Sequence, residues 1–158
     1  YPSKWKKIIE NLDYVDKNAK ALNCLEVGIN TTLQVYNVFQ LSELFMFLKE
    51  RFNTVVPYPN IEPVMYRDFL SIQILPTELK TLVESRFRKF TKDYFERYEK
   101  LPPLAFRDQM SKIVKFMWAS DQSHLIPDFK KFTYFMDQSR NQNVLDCVPE
   151  LKSVMGAE

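Results

Sequence analysis

Hydrophobic positions first recur along this chain at spacings of three and four. Trp5, Ile8, Ile9, Leu12 and Val15 are separated by Lys and Glu, which predicts an amphipathic helix over about residues 3 to 18. The period then changes to two. From Leu25 to Tyr36, the residues Val27, Ile29, Thr31, Leu33 and Val35 alternate with Gly28, Asn30, Thr32 and Gln34, a β-branched strand pattern. After Asn37 the helical period returns, with Leu41, Leu44, Phe45, Leu48 and Phe52 on one side of a segment ending near Asn53. Pro57, Pro59 and Pro63 break regular structure and predict a surface loop. A short extended piece near Val64 to Tyr66 then leads to a second predicted strand, Phe69 to Leu75. There Leu70, Ile72 and Ile74 oppose Ser71 and Gln73, and Pro76 stops the run.

The last part reads as helical. Thr77 is placed to cap a long helix carrying Leu79, Leu82, Val83, Phe87, Phe90, Tyr94 and Tyr98 to about Lys100, before Pro102 and Pro103. A helix around Phe106, Met110, Ile113, Val114 and Met117 follows, then one after Pro127 with Phe129, Phe132, Tyr134 and Met136. Only Gly28 and Gly156 are glycines, so there is no glycine-rich phosphate loop.

Strands alternating with helices predict crossover connections and a parallel sheet. A parallel strand covered on both faces would be almost wholly apolar, whereas Asn30, Thr32, Gln34, Ser71 and Gln73 give these runs a polar face. A full or partial barrel with a polar lumen accounts for that face. An open sheet face meeting solvent accounts for it equally well. The expected fold is therefore α/β: a partial (half) parallel β/α barrel over residues 1–100, followed by a helical C-terminal tail over 101–158 packing on it.

The net charge of +2, with acids and bases interspersed, provides no broad basic face, and nucleic acid is not expected as a partner. In one stretch Arg86, Arg88, Lys89, Lys92, Arg97 and Lys100 alternate with Phe87, Phe90, Tyr94 and Tyr98, a pattern that charge and stacking on nucleic acid would also produce. Glu84, Asp93, Glu96 and Glu99 largely cancel the charge, which favours a solvated amphipathic helix. Cys24 and Cys147 are far apart, which suggests neither a disulfide framework nor a zinc site and fits a reducing compartment. No apolar run approaches the roughly 20 residues that span a bilayer, and no export signal is evident, so a cytoplasmic location is expected. The first residue is Tyr1, which reads as a processed, excised or incompletely recorded chain.

The run Gly28-Ile-Asn-Thr-Thr-Leu-Gln-Val-Tyr-Asn-Val-Phe-Gln-Leu-Ser-Glu-Leu resembles a late barrel strand and the following helix of the radical S-adenosylmethionine enzymes. Phe69-Leu-Ser-Ile-Gln-Ile-Leu-Pro-Thr-Glu-Leu-Lys is similar to the next strand and helix start in the subset with a shortened, twitch-type C-terminal extension. Phe135-Met-Asp-Gln-Ser-Arg-Asn-Gln-Asn, with Pro149-Glu-Leu, is similar to that subset's closing helix. The resemblance implies a six-stranded barrel in which a [4Fe-4S] cluster, held by a Cys-x3-Cys-x2-Cys loop, cleaves S-adenosylmethionine to a carbon radical. That loop does not occur here, and Cys24 and Cys147 cannot supply three thiolates. No cofactor is expected in this chain alone. The cluster and S-adenosylmethionine are implied for the full-length family protein, and this chain is expected to be inactive by itself.

On the resemblance, Asn30, Thr32, Gln34 and Asn37 are the candidate cofactor-binding residues, with Asn37 at the rim near the bound cofactor. For Asn37 the favoured reading is a cap on the helix that follows, while Asn30, Thr32 and Gln34 suit a solvated strand face equally well. His124 is the only histidine and a poor metal site by itself, with Asp121 nearby better suited to capping a turn. Asp137 and Arg140 match the family's tail helix and are spaced to pair along one helical face. Two functions are carried forward. One is the C-terminal portion of a radical S-adenosylmethionine enzyme, forming part of its cavity. The other is a non-catalytic, interacting or self-associating α/β module. Half a barrel leaves open strand edges, so the partner is either the missing N-terminal half or a second copy.

Overall fold

The computed structural model describes residues 4–19, 21, 23, 27–55, 60–64 and 66–156. Seven helices, α1 (Trp5–Asn18), α2 (Leu41–Arg51), α3 (Thr77–Tyr98), α4 (Leu104–Trp118), α5 (Ile126–Arg140), α6 (Val144–Cys147) and α7 (Lys152–Met155), occur among the described residues with strands β1 (Asn30–Leu33) and β2 (Asn60–Pro63). The described residues are 70% helical, with only these two short parallel strands among them, so the expected half barrel is replaced by a mostly helical fold.

Three local corrections explain the difference. Phe69–Leu75 is not a strand but two 3-10 turns, Asp68–Leu70 and Ile72–Ile74. Its polar side chains are as buried as its apolar ones: Ser71 is 5% and Gln73 8% exposed. Each finds a partner inside. The Ser71 hydroxyl accepts from the Gln73 N–H, and Gln73 Nε2 donates to the Phe116 carbonyl at 2.8 Å. Burial on every side removes the reason for an alternating strand. Second, Pro63 belongs to β2 rather than to a loop; Pro57 and Pro59 lie outside the described residues. Third, Pro76, not Thr77, occupies the position before the first turn of α3, and no side chain caps it.

β1 is shorter than its pattern, although the alternation holds: Leu33 and Val35 are buried while Gly28, Asn30 and Thr32 are exposed. Leu25 lies outside the described residues, as do Ser3 at the start of the first predicted helix and Met65 within the extended piece.

The chain divides into two compact units, residues 1–31 with 43–61, and residues 32–42 with 62–158. In the first, Leu48, Phe52 and Val55 are buried beneath Leu12, Val27, Ile29, Leu44 and Phe47. Arg51 holds Asp13 through Nε and Nη2, at 3.1 and 2.7 Å. Asp16 Oδ1 accepts the N–H groups of Asn53 and Thr54 at 2.9 and 2.6 Å, satisfying the turn that follows α2. Val27 forms a parallel bridge with Val55.

In the second unit, Val35, Phe39, Ile74, Val83, Phe106 and Phe129 are among the fully or nearly fully buried residues. Phe87, Phe90 and Tyr94 of α3 are buried too, so the aromatic stripe of that helix is core. Its outer face carries Glu84–Arg88, Lys89–Asp93 and Lys92–Glu96 pairs one turn apart. The helix stops at Glu99, which adopts a left-handed conformation with φ 52° and donates its N–H to the Phe95 carbonyl. No helix among the described residues is long and apolar enough to cross a membrane.

Candidate functional site

β1 and β2 pair through the Asn60 N–H to the Ile29 carbonyl, 2.8 Å, and the Val64 N–H to the Leu33 carbonyl, 2.9 Å. Backbone groups of alternate residues point to opposite edges. The backbone at Asn30, Thr32 and Gln34 therefore faces the outer edge of β1, and that of Ile61 and Pro63 the outer edge of β2. Pro63 has no N–H to offer there, which is why a proline is tolerated in this strand.

At the outer edge of β1 stands Asn37. Its Nδ2 donates to the Thr32 carbonyl at 2.9 Å, and its Oδ1 accepts the Gln34 N–H at 3.0 Å. A residue in a parallel neighbouring strand would make this same pair of bonds, one to each of two alternate residues. Asn37 does so with a side chain, closing the turn in which its own N–H donates to the Gln34 carbonyl. It makes no capping bond to the 3-10 turn Val38–Gln40. Asn37 is thus committed to backbone, while Asn30 and Thr32 are exposed and Gln34 is half-buried. Asn60 Nδ2 lies 3.5 Å from Asn30 Oδ1.

Residues 32–42 of the first resembling segment meet parts of the other two in the second unit. The Val35 N–H donates to the Leu70 carbonyl at 3.0 Å. The Tyr36 hydroxyl and Thr133 Oγ1 are 2.6 Å apart, with the Tyr36 ring against Phe129. Arg86 donates through Nη1 to the Phe39 carbonyl at 3.1 Å and through Nη2 to Glu150, and its guanidinium lies over the Phe39 ring. Burial pushes the Tyr36 hydroxyl above its usual pKa, against the opposing effect of the Thr133 bond.

No protein family, curated protein or solved structure matches this chain.

In the closing segment, Asp137 Oδ2 accepts the Val144 N–H at 2.9 Å and Asn143 Oδ1 accepts the Leu145 N–H. Asn141 ends α5 in a left-handed conformation, its N–H on the carbonyls of Asp137 and Gln138. The Asp137-to-Asn143 run therefore stops one helix and starts the next. His124 is exposed in a 3-10 turn, and Asp121 Oδ1 accepts the Ser123 N–H at 3.0 Å. The N–H and hydroxyl of Ser123 hold Asp121 below the usual carboxylate range.

Cys147 is exposed and Cys24 lies outside the described residues. The sequence holds no Cys-x3-Cys-x2-Cys loop, the thiolate spacing that the resemblance implies for a [4Fe-4S] cluster. Sequence reading missed Arg86, Tyr36 and Glu150. Each was visible only as part of an apolar or charged stretch, with its partner 47 to 97 residues away.

Proposed function

We propose that this chain is the C-terminal portion of a radical S-adenosylmethionine enzyme, whose cluster-binding cysteine loop is carried on another part of that enzyme. The observation that supports this most is the convergence, in one compact unit, of residues 32–42 of the first resembling segment with the second and third, distant in sequence. Val35 bonds to Leu70, and Arg86 joins Phe39 to Glu150. What the chain contributes is a β1-α2-β2 crossover and a helical unit. Thr32 and Gln34 of the second unit are the residues offered to a cofactor or substrate at the β1 edge, and Asn37 holds that edge in shape. A reducing cytoplasm suits an oxygen-sensitive cluster.

The test joins this chain to the coding sequence directly upstream of Tyr1 and reconstitutes the product anaerobically with iron and sulfide. Cluster absorbance and cleavage of S-adenosylmethionine are expected from the joined protein and not from this chain alone. An upstream sequence lacking a Cys-x3-Cys-x2-Cys loop would overturn the reading.

A second reading, a non-catalytic interaction module, is favoured by the exposure of neighbouring Tyr134 and Phe135 on α5, at 63% and 66%. Light scattering on the isolated chain separates the two. A stable dimer lost in Phe135→Ser supports self-association, and a concentration-independent monomer opposes it.

A further inference from the structure

A cleft of about 910 Å³ lies in the second unit between α5, the Asn141–Leu145 connection and α7. Three lysines line it, Lys130 and Lys131 from α5 and Lys152 from α7, against one carboxylate, Asp137. That carboxylate already accepts the Val144 N–H. None of the three lysines forms an ion pair among the described residues, in contrast to Lys89 and Lys92 of α3, each answered by an acid one turn on. One turn on from Lys130 and Lys131 stand Tyr134 and Phe135 instead. The cleft therefore concentrates lysines that are unpaired among the described residues, inside a concave site of small-molecule size.

Two further features shape it. Tyr134 is 63% exposed and its hydroxyl accepts from Gln138 Nε2 at 2.7 Å, so an aromatic side chain stands at the cleft wall. Opposite, Gly156 has φ 89°, a conformation that suits glycine, and a Cβ there would come within 3.5 Å of Lys130 Nζ.

We propose that this cleft binds a nucleoside phosphate, with Lys130, Lys131 and Lys152 neutralising the phosphates and Tyr134 stacking on the base. Part of the lining, Asp137 to Asn143, belongs to the segment that resembles the family's closing helix, but the proposal stands independently of the radical-enzyme reading. The experiment is calorimetric titration of the full chain at low salt with ADP, and separately with inorganic pyrophosphate. One saturable site is expected for each, with ADP the tighter. Lys130→Gln combined with Lys152→Gln should weaken both probes about tenfold or more, while Lys130→Arg keeps them within about twofold. Tyr134→Leu should weaken ADP and leave pyrophosphate unchanged. Melting curves accompany each variant to show that it folds. Absence of saturable heat with both probes, or affinities that ignore the lysine substitutions, would overturn the proposal. ADP binding no tighter than pyrophosphate, or insensitive to Tyr134→Leu, would overturn the nucleoside assignment.

Discussion

Asn37 donates its side-chain amide to the carbonyl of Thr32 across 2.9 Å, at the point where the outer edge of β1 would otherwise be bare. With the Gln34 N–H bonded to the same side chain, this edge is closed locally at its C-terminal end. Asn37→Ala is expected to destabilise the chain by about 1–2 kcal/mol, since two backbone bonds are lost. Asn37→Asp keeps the acceptor and loses the donor, and should fall between. Urea unfolding midpoints rank the three proteins. Amide exchange at Gln34 should quicken in Asn37→Ala, and an unchanged rate there would contradict the edge-closing role.

Arg86 bonds to the Phe39 carbonyl and to Glu150, while Glu150 Oε2 is buried with no hydrogen-bond partner among the described residues. Arg86→Met leaves a carbonyl and a carboxylate without their cation, and should cost about 2–3 kcal/mol. Glu150→Gln retains an acceptor for Arg86 and removes a poorly solvated charge, so its cost should be clearly smaller. Chemical denaturation of both variants checks the order, and equal losses would contradict it.

Burial raises the Tyr36 hydroxyl above its ordinary value of 10.0. The unfolded chain therefore releases this proton first, and the associated stability is complete below pH 10 and declines as pH rises through the elevated folded value. Tyr36→Phe should lower stability at neutral pH by about 1 kcal/mol through loss of the Thr133 bond. It should also flatten the alkaline decline relative to the parent protein. Tyr94, raised by burial as well, leaves part of that slope in the variant. Melting temperatures from pH 8 to 11 distinguish the two proteins.

Asp16 is partly desolvated, which alone would raise its pKa, but the backbone N–H groups of Thr54, Asn53 and Val55 outweigh this and hold it below the ordinary 3.8. Its folded-state stabilisation is present above that value and is lost as pH falls through the lowered one. Arg51 acts on Asp13 in the same direction. Asp16→Asn should weaken the turn after α2 at pH 7 and make stability less sensitive to acid below pH 4. Parallel acid titrations followed by circular dichroism measure this.

The helices were legible because their signal is local. Leu79, Val83, Phe87, Phe90 and Tyr94 keep one face of α3 apolar, and all five are buried. Pro127 falls in the first turn of α5, as its fixed φ requires. The alternation from Val27 to Val35 likewise matched the buried and exposed sides around β1. Of the candidate residues, Thr32, Gln34 and Asn37 share one strand edge and turn of the second unit, but their neighbours were not legible. That Asn37 bonds backward to Thr32 rather than forward into the next helical turn depends on a turn conformation that residue type alone does not select.

Amino-acid order by itself determined where the five longer helices form, where β1 alternates, and that no Cys-x3-Cys-x2-Cys loop is present, because periodicity and residue spacing are properties of the sequence itself. The tertiary structure decided the rest. Phe69–Leu75 has the alternation of a strand, yet burial on all sides and the bonds of Gln73 to Phe116 and Gln122 turn it into 3-10 coils. Pairing across 47 to 97 residues makes Arg86 and Tyr36 the ties of the second unit. Such contacts form between surfaces that meet only after the chain has folded, and short-range spacing carries no record of them.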